Sequence, residues 1–515
     1  MARVTFGKPP TTSSALRVDG SLRASDNRPY GQKIDHAISS RRTARMNTKA
    51  IPYYWSSIDW EKLVEDYPPP PHFDVAMAGR SDEELRALQE TRFLQRVTEA
   101  WDVPFYAERW RSAGLEPGDI RGLDDLEKIP TFTSEDIKHS TQANPPFGDH
   151  QNFALQNMAT PLKIQSSGGT SGLPRPTLFD PVAWEVQAIQ YARAFVAQGG
   201  EVGDVLQITL TNSLANTAWC ASTAAMHWSG LVPLTTGSGA VTSSVRQLEL
   251  AKEWGTAGWV AFGEYLKILA ETAAANDIDL RRDLSTRFIH TYLGVDTDGH
   301  LRRLLEDAWG APVYDNYGTH EVGLVGYECR LQNGLHVNDD TALLEIVDRE
   351  TSKPLADGGA GNIVVTSLHR SVPPIIRYDL KDLMRRESRS LCGCGARTTK
   401  LSGFLGRSDE MVKLRATSVY PRAAQDTVQG DERSTGEFVC VVDSVGSGIS
   451  ARERMTVKVE AKRNVDEKAL HADMVSRLKV LFGVAVDVEI VPAGSLAPFT
   501  GLGGEGKVKR LVDLR

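Results

Sequence analysis

The chain has 515 residues, of which 41% are hydrophobic and 24% are charged, and its formal net charge is −7 at pH 7. This composition excludes a fibrous or wholly disordered protein, and the length suffices for two or more hydrophobic cores. The negative charge excludes the basic field with which a protein gathers nucleic acid or an anionic membrane. The sequence contains neither a run of about 18 apolar residues nor an apolar secretory segment near residue 1, so we expect a cytoplasmic location.

The first 50 residues differ from the rest in composition. They are rich in Ser, Thr and Arg and contain few acidic or aromatic residues. Such a segment cannot bury enough apolar surface to offset its ordering entropy, so we predict a disordered arm over residues 1–50. The pattern changes again after Gly406, which predicts a large N-terminal domain over residues 51–405 and a smaller C-terminal domain over residues 406–515.

Hydrophobic periodicity predicts helices and strands along the remaining chain. The clearest helices are residues 85–101, 245–254, 264–275 and 470–481, and the clearest strands are residues 205–210, 288–293, 362–367 and 455–460. Short apolar runs alternate with helical segments between residues 155 and 345, which indicates an α/β architecture with largely parallel sheets. Residues 358–384 are strand-rich, and the C-terminal hundred residues read as an α+β unit. Binding loops are expected where the parallel strands end.

The strongest local motif is residues 165–175, QSSGGTSGLPR. A flexible loop of this kind lets backbone N–H groups and hydroxyls converge on phosphate oxygens. A Walker phosphate loop requires Lys after its last glycine, but Leu173 follows Gly172 here, so that class of nucleotidase is disfavoured. On its own, a Gly/Ser/Thr run can equally be a plain linker.

Four further motifs follow the loop in order: residues 315–321 (DNYGTHE), 376–382 (IRYDLKD), 406–415 (GRSDEMVKLR) and 504–510 (GEGKVKR). Together with the loop, they resemble the motifs of the adenylate-forming enzymes, the superfamily of acyl-CoA synthetases, luciferases and peptide-synthetase adenylation domains. Each motif alone has a purely structural explanation, such as a turn or a helix cap. Five motifs in family order favour the functional interpretation.

The resemblance implies a small, mobile α+β C-terminal domain that carries the catalytic lysine. That residue is Lys507, with Lys509 as the nearby rival, and Asp409 is the interdomain hinge. Glu321 and Thr170 are implied as catalytic magnesium ligands. The nucleotide contacts implied by the resemblance are Ser167, Gly168, Gly169, Ser171, Gly172, Gly294, Asp296, Asp315, Tyr317, Gly318, Thr319, Asp382 and Arg407, of which Arg407 is also implied as catalytic.

A finer resemblance, over nearly everything after residue 50, is to the phenylacetate-CoA ligase branch, which includes coenzyme F390 synthetase-like proteins. It rests on residues 105–110 (FYAERW), the pairing of residues 328–329 with 334–337, residues 392–398 (CGCGART) and the ending 505–513. It implies ATP, Mg²⁺ and coenzyme A as reactants with an aromatic or arylacetic acid as the small-molecule substrate. The oligomeric state stays open, with a homodimer as one alternative.

Two departures from the family pattern keep an alternative open. Leu173 replaces the usual lysine after the loop glycine, and Ala416 replaces a glycine that normally lets the backbone approach the pantetheine arm. The alternative is an adenylating enzyme that passes its acyl group to an amine or to a carrier-protein thiol. A nucleotide-binding regulatory protein without catalysis is a third alternative, which the intact Glu321, Asp382, Arg407 and Lys507 disfavour.

The acid pocket is sought at strand ends between the loop and residue 315. Aromatic side chains there suit a flat aryl acid, although they could equally be core residues. The candidate pocket residues are Asn216, Trp219, His227, Trp228, Phe262, Gly263 and Tyr265. His320, beside Glu321, either touches the acyl group or fills the variable position of its motif, and we favour the second role.

The five cysteines are an odd number spread over a long chain, which argues against a disulfide framework. Cys329, His336, Cys392 and Cys394 together provide three thiols and one imidazole, the ligand set of a closed structural zinc site. The Cys-x-Cys spacing is tighter than usual, but some members of the branch bind zinc with a similar arrangement. We therefore predict a structural zinc, with unliganded thiols as the alternative.

Overall fold

The computed structural model describes residues 53–152, 161–167, 175–408, 412–414, 417–445, 452–500 and 508–514. These residues belong to one compact unit, Met46–Arg515. The predicted disordered arm, residues 1–50, lies outside the described residues. The division at residues 405–406 remains a prediction.

The described α-helices are α1 (Tyr53–Ser56), α2 (Trp60–Asp66), α3 (His72–Ala78), α4 (Asp82–Ala100), α5 (Pro104–Ser112), α6 (Ser134–Ala143), α7 (Pro181–Ala197), α8 (Thr217–Ala224), α9 (Ser244–Trp254), α10 (Gly263–Ala275), α11 (Leu280–Asp283), α12 (His300–Trp309), α13 (Ala424–Gln429), α14 (Glu467–Phe482) and α15 (Ala497–Thr500). Short 3₁₀ segments cover Leu123–Lys128 and Pro421–Ala423, and a π-helical turn, Ala225–Ser229, follows α8. None of the described helices is long and apolar enough to cross a membrane.

The described strands are β1 (Lys163–Ser167), β2 (Arg175–Phe179), β3 (Val205–Ile208), β4 (Val232–Thr235), β5 (Thr256–Phe262), β6 (Phe288–Tyr292), β7 (Val313–Thr319), β8 (Gly323–Glu328), β9 (Leu335–Val337), β10 (Ala342–Val347), β11 (Ala360–Ser367), β12 (Tyr378–Leu391), β13 (Arg397–Leu401), β14 (Gly406–Arg407), β15 (Val412–Leu414), β16 (Thr417–Val419), β17 (Ser434–Val445), β18 (Arg452–Ala461), β19 (Asp487–Pro492) and β20 (Leu511–Asp513). The large sheet has the order β10-β11-β12-β13-β9-β8-β7-β6-β5-β3-β4, and β14 pairs with β12. Neighbouring strands are parallel from β4 through β3, β5 and β6 to β7. They are antiparallel from β7 through β8, β9 and β13 to β12. This α/β architecture confirms the predicted fold class.

Local sequence explains where the helices begin. Ser81 and Glu84 form a reciprocal capping box at the start of α4, and Phe93 and Val97 from that helix enter the core next to β10–β12. Helix α7 is buried along most of its length, because it is covered by α8 on one side and by the sheet on the other. A covered helix leaves little solvated surface, so even the polar residues Glu185, Gln187, Gln190 and Arg193 of α7 are buried.

The C-terminal sheet has the order β19-β18-β17-β20 and carries α14 on one face, where Leu470 and Met474 are fully buried. Helix α13 contacts the segment after β6. Gln425 Nε2 donates to the carbonyl of Val295 at 2.9 Å, and Thr297 Oγ1 donates to Asp426 at 2.8 Å. The C-terminal sheet is therefore held beside the carboxyl ends of the parallel strands.

Candidate active site

Strands β7, β12 and β14 bring three predicted nucleotide residues into one hydrogen-bonded group. Tyr317 Oη donates to Asp382 Oδ2 at 2.8 Å, and Arg407 donates to Asp382 Oδ1 at 2.7 Å. The pairing of β12 with β14 places Asp382 directly opposite Arg407. Burial, together with the Asp382 carboxylate, raises the pKa of Tyr317, so its hydroxyl remains a donor at neutral pH. The group thus fixes a carboxylate with both oxygens held in place.

Asp382 lies inside a long strand. It is the fifth residue of β12, which continues to Leu391. Lys381 has a φ of 59°, and β14 pairs with β12 at Asp382 and Leu383. The left-handed backbone at Lys381 is thus a local irregularity directly before Asp382.

The turn between β7 and β8 presents Glu321 at the carboxyl end of β7. Gly318 is required here, because a Cβ at that position would lie 2.5 Å from the carbonyl oxygen of Gly323. Thr319 Oγ1 accepts from the backbone N–H of Val322 at 3.2 Å and stabilises the turn. Glu321 is 6% exposed, and its carboxylate forms no hydrogen bond with any residue that the structure describes. A buried carboxylate with unused lone pairs fits a hard divalent cation.

Arg370 was not found from the sequence, and it connects this turn to the hairpin of the glycine-rich loop. It is fully buried and donates to the backbone carbonyl of Glu321 at 2.8 Å and to that of Leu178 in β2. Its guanidinium lies 4.0 Å from the centre of the Phe179 ring. Burial lowers the pKa of Arg370 to about 10, which leaves it charged at neutral pH. Only the rarity of a fully buried arginine could have marked it, and burial is not visible in the sequence.

The glycine-rich loop is described only at its two ends. Strands β1 and β2 pair from Lys163–Phe179 to Ser167–Arg175, and Ser166 N donates to the carbonyl of Leu214 at 2.8 Å. The remaining predicted loop residues lie outside the described residues, namely Gly168, Gly169, Thr170, Ser171 and Gly172. The same is true of the predicted hinge residue Asp409 and the predicted catalytic residue Lys507.

Two of the predicted nucleotide residues hold the backbone of the site. Asp315 Oδ1 accepts from the N–H groups of Leu293 and Asn316, each at 2.9 Å. Burial, with the neighbouring Glu328 carboxylate, raises the pKa of Asp315 to about 7. Gly294 comes directly after Leu293 and has a φ of 74°, a backbone conformation that favours glycine. These contacts fix the loop after β6.

Asp296 holds the start of α12. Its two carboxylate oxygens accept from the N–H groups of Leu301 and Arg302 at 2.8 and 3.0 Å. Asp296, Asp298 and Asp426 also place carboxylate oxygens within 4.8 Å of one another at the contact with α13. Exposed acidic groups of this kind are common in proteins without an ion.

Only part of the predicted acid pocket lies beside this centre. Asn216 Nδ2 donates to the backbone carbonyl of His320 at 3.1 Å and to Gln187 Oε1 at 3.0 Å, and Asn216 Oδ1 contacts His320 Nδ1 at 3.1 Å. Burial lowers the pKa of His320 to about 4, so the imidazole is neutral. The Phe262 ring lies 5.9 Å from that of Tyr292. Asn216 and His320 therefore form a polar group next to Glu321.

The other pocket candidates have different neighbours. His227 and Trp228 both contact the buried Glu185 carboxylate. Tyr265 Oη contacts the Ser244 hydroxyl at 3.1 Å, and Gly263 begins α10. Trp219 faces Lys163, whose Nζ lies 4.4 Å from the indole centroid. Among the described ring contacts, none joins these aromatic residues to Phe262.

The predicted zinc ligands form a cluster in which all four ligand atoms lie within 4.8 Å of one another. Cys329 follows β8, His336 lies in β9, and Cys392 and Cys394 lie between β12 and β13. Tetrahedral ligands about 2.3 Å from zinc are separated by about 3.8 Å, so the cluster fits the ion. His336 Nε2 faces Cys394 Sγ at 3.6 Å, while its Nδ1 contacts Thr398 Oγ1 at 2.7 Å. Such a contact orients an imidazole ligand.

Comparisons with known proteins match most of the chain. Residues 416–515 match the family of the AMP-binding enzyme C-terminal domain. A phenylacetate-coenzyme A ligase of Thermus thermophilus is 27% identical over 459 residues, covering 84% of this chain and 97% of that protein. The protein of the same name from Escherichia coli K12 is 27% identical over 453 residues, covering 84% of this chain and 96% of that protein.

A crystal structure of a 2-hydroxyisobutyryl-CoA ligase in the postadenylation state, in complex with R3-HIB-AMP, shares the fold. Its TM-score is 0.71 at 23% identity, and the match covers 88% of this chain and 92% of that chain.

Proposed function

Because the chain belongs to the adenylate-forming enzyme superfamily, among its AMP-forming acid–CoA ligases, we propose that it activates an aromatic or arylacetic acid. The acid carboxylate attacks the α-phosphate of ATP to give an acyl-adenylate and pyrophosphate, and the thiol of coenzyme A then displaces AMP. The observation that carries the proposal is the group formed by Tyr317, Asp382 and Arg407, with Glu321 on the turn that follows the Tyr317 strand. The relatives named phenylacetate-coenzyme A ligases support an aryl acid.

In this proposal, the residues of the chain act by positioning and by neutralising charge. Asp382, held by Tyr317 and Arg407, accepts hydrogen bonds from the ribose hydroxyls. Glu321 and Thr170 are the residues that would hold magnesium, which offsets the negative charge of the phosphates when bound. Lys507 joins the attacking carboxylate to the α-phosphate. Arg370 keeps the Glu321 turn in register with the phosphate-loop hairpin.

The substrate class is tested with a panel of acids. An aryl or arylacetic acid should exceed a linear fatty acid of equal carbon count by more than about tenfold in kcat/KM, or about 1.4 kcal/mol, because the fatty acid must also immobilise several rotors. AMP release is measured with and without coenzyme A. A tenfold preference for the fatty acid contradicts the substrate class. Release that requires an amine instead of coenzyme A replaces the ligase with the amide-forming alternative.

We also propose that Asp409 is the hinge of the C-terminal domain. Ser408 N donates to the carbonyl of Lys381 at 2.7 Å, so the chain is anchored to β12 up to the residue before Asp409. Asp409→Pro restricts φ and should trap one domain orientation. One half-reaction should then fall by about a hundredfold more than the other, measured separately as pyrophosphate exchange and thioester formation. Equal loss of both half-reactions, or loss of neither, contradicts the proposed hinge. Ser408→Ala, at the position before Asp409, is the matched control.

The cysteine–histidine cluster is proposed to hold a structural zinc. Purified protein never exposed to chelator should contain about one zinc per chain by elemental analysis. Cys329→Ser should lose the metal and lower the melting temperature, whereas Cys440→Ser, a buried thiol of β17, should keep it. Zinc removal should lower stability before it lowers activity, because the cluster lies at the opposite end of β8 from the Glu321 turn. A zinc-free sample contradicts the proposal.

A further inference from the structure

A cavity of about 250 Å³ lies at the base of the β1–β2 hairpin. Its lining residues are Tyr54, Pro161, Leu162, Lys163, Phe179, Asp180, Pro181, Trp184, Glu185, Thr223 and His227. Phe179, Trp184 and Glu185 are buried and form its floor, whereas Lys163 is half-buried and His227 is exposed at its rim. The cavity is therefore a recess that a small molecule can enter from solvent.

Lys163 places its ammonium group at this recess. Its Nζ lies 3.6 Å from the centre of the Trp184 ring and 4.4 Å from that of Trp219. An ammonium has three donors, and ring faces do not replace a hydrogen-bond acceptor. Within the described part of the chain, Lys163 forms no ion pair and no side-chain hydrogen bond. Burial lowers the pKa of Lys163 to about 8, as expected for a cation without a counter-ion.

The two carboxylates of the recess are already bound to other groups. Glu185 accepts from Tyr54 Oη at 2.9 Å and from Trp228 Nε1 at 2.7 Å, and His227 Nδ1 lies 3.1 Å from it. The contact with Glu185 raises the pKa of His227. Asp180 caps α7 by accepting from the N–H of Ala183 at 2.9 Å. Among the charged groups that line the recess, Lys163 is thus the one with no ionic or hydrogen-bond partner in the described part of the chain.

The remaining walls are apolar. The rings of Phe179 and Trp184, with Pro161, Leu162 and Pro181, offer a surface suited to an aromatic or branched aliphatic body. A volume of 250 Å³ lies below the range of about 300–1,000 Å³ typical of drug-sized ligands, so the occupant must be small. A small molecule with one anionic end and one apolar end would satisfy both parts of the recess.

We propose that this recess binds a small monocarboxylate, whose carboxylate accepts hydrogen bonds from Lys163 Nζ and whose apolar body packs on Phe179 and Trp184. The site differs from the nucleotide centre, because Lys163 begins β1, about 13 Å along the strand from Ser167, the first predicted nucleotide contact of the loop. It adjoins the centre through one side chain, because the Phe179 ring also lies 5.9 Å from the His320 ring. Binding there does not require the proposed reaction.

The test counts bound acid by equilibrium dialysis with radiolabelled benzoate. Wild-type protein should bind one more benzoate per chain than Lys163→Met, which lacks the ammonium group. This additional benzoate should have a Kd below about 1 mM. Lys163→Arg keeps a cation with donors and should keep the additional equivalent. If benzoate also binds as a reaction substrate, the number of bound benzoates falls from two in wild type to one in Lys163→Met. If the proposed acid-activating function is wrong, the number falls from one to none. Equal counts in wild type and Lys163→Met overturn the proposal.

A second measurement uses the unaltered protein, so that it does not depend on the folding of a variant. An amine-reactive acetylating reagent is applied with and without saturating benzoate, and acetylation is followed by peptide mass spectrometry. Benzoate should slow the labelling of Lys163 at least about tenfold, while the exposed Lys468 and Lys479 react at unchanged rates. Unprotected labelling of Lys163 at saturating benzoate overturns the proposal.

Discussion

Lys507→Ala should reduce acid-dependent ATP–pyrophosphate exchange by about a thousandfold, because it removes the one cation proposed to bridge the carboxylate and the α-phosphate. Thioester formation from a supplied acyl-adenylate should stay within about threefold of wild type, since the lysine acts only in the first half-reaction. Both rates are measured on the same preparation, which separates a chemical defect from loss of folded protein.

Lys509→Ala is the matched control for Lys507→Ala. The backbone N–H of Lys509 donates to the carbonyl of Thr500 at 2.9 Å, and Arg510 forms an ion pair of 2.8 Å with the buried Glu437. These contacts fix the chain directly after Lys507, and truncating the exposed Lys509 side chain leaves them intact. Normal exchange in the Lys507 variant together with a large loss in the Lys509 variant would transfer the catalytic role to Lys509.

The regular elements could be predicted because their periodicity reflects which face is buried. The helix predicted over residues 85–101 is Asp82–Ala100, and the strand predicted over residues 288–293 is Phe288–Tyr292. The predicted helix 470–481 begins earlier, at Glu467, because Asp466 caps it by accepting from the N–H of Ala469. Errors of this size arise where the terminal turn is exposed and carries no apolar signal.

Motif order predicted the residues of the candidate site, but it could not supply their partners that lie far away in sequence. Asp382 was predicted as a nucleotide contact, yet its contact with Tyr317 spans 65 positions. Arg370 bridges positions 178 and 321, so its role depends on the tertiary fold. The sequence could not decide which aromatic residues line the acid pocket for the same reason. Trp228 and Phe262 have similar local sequence signals, but Trp228 contacts Glu185 and Phe262 contacts Tyr292.

Asp382→Ala should lower kcat/KM for ATP by about a hundredfold, equivalent to about 2.7 kcal/mol. The variant loses the acceptor for the ribose hydroxyls and also leaves Tyr317 Oη and Arg407 without the carboxylate that holds them. The buried Tyr317 hydroxyl, once its acceptor is removed, adds its own desolvation cost to the lost substrate contact. The KM for the acid should change by less than about threefold, because that substrate does not contact Asp382 in the proposed mechanism.

Two controls separate the carboxylate from its neighbours. Tyr317→Phe keeps the ring and removes only the hydroxyl donor, so its effect on kcat/KM for ATP should be less than about tenfold. Asp357→Ala removes an exposed carboxylate that pairs with Arg386, and it should leave both substrates unaffected. An Asp382 variant that raises the KM for the acid as much as that for ATP would show that the carboxylate organises the whole site rather than the nucleotide. Its ion pair with Arg407 would then act chiefly by joining β14 to β12, on the chain segment that leads to Asp409.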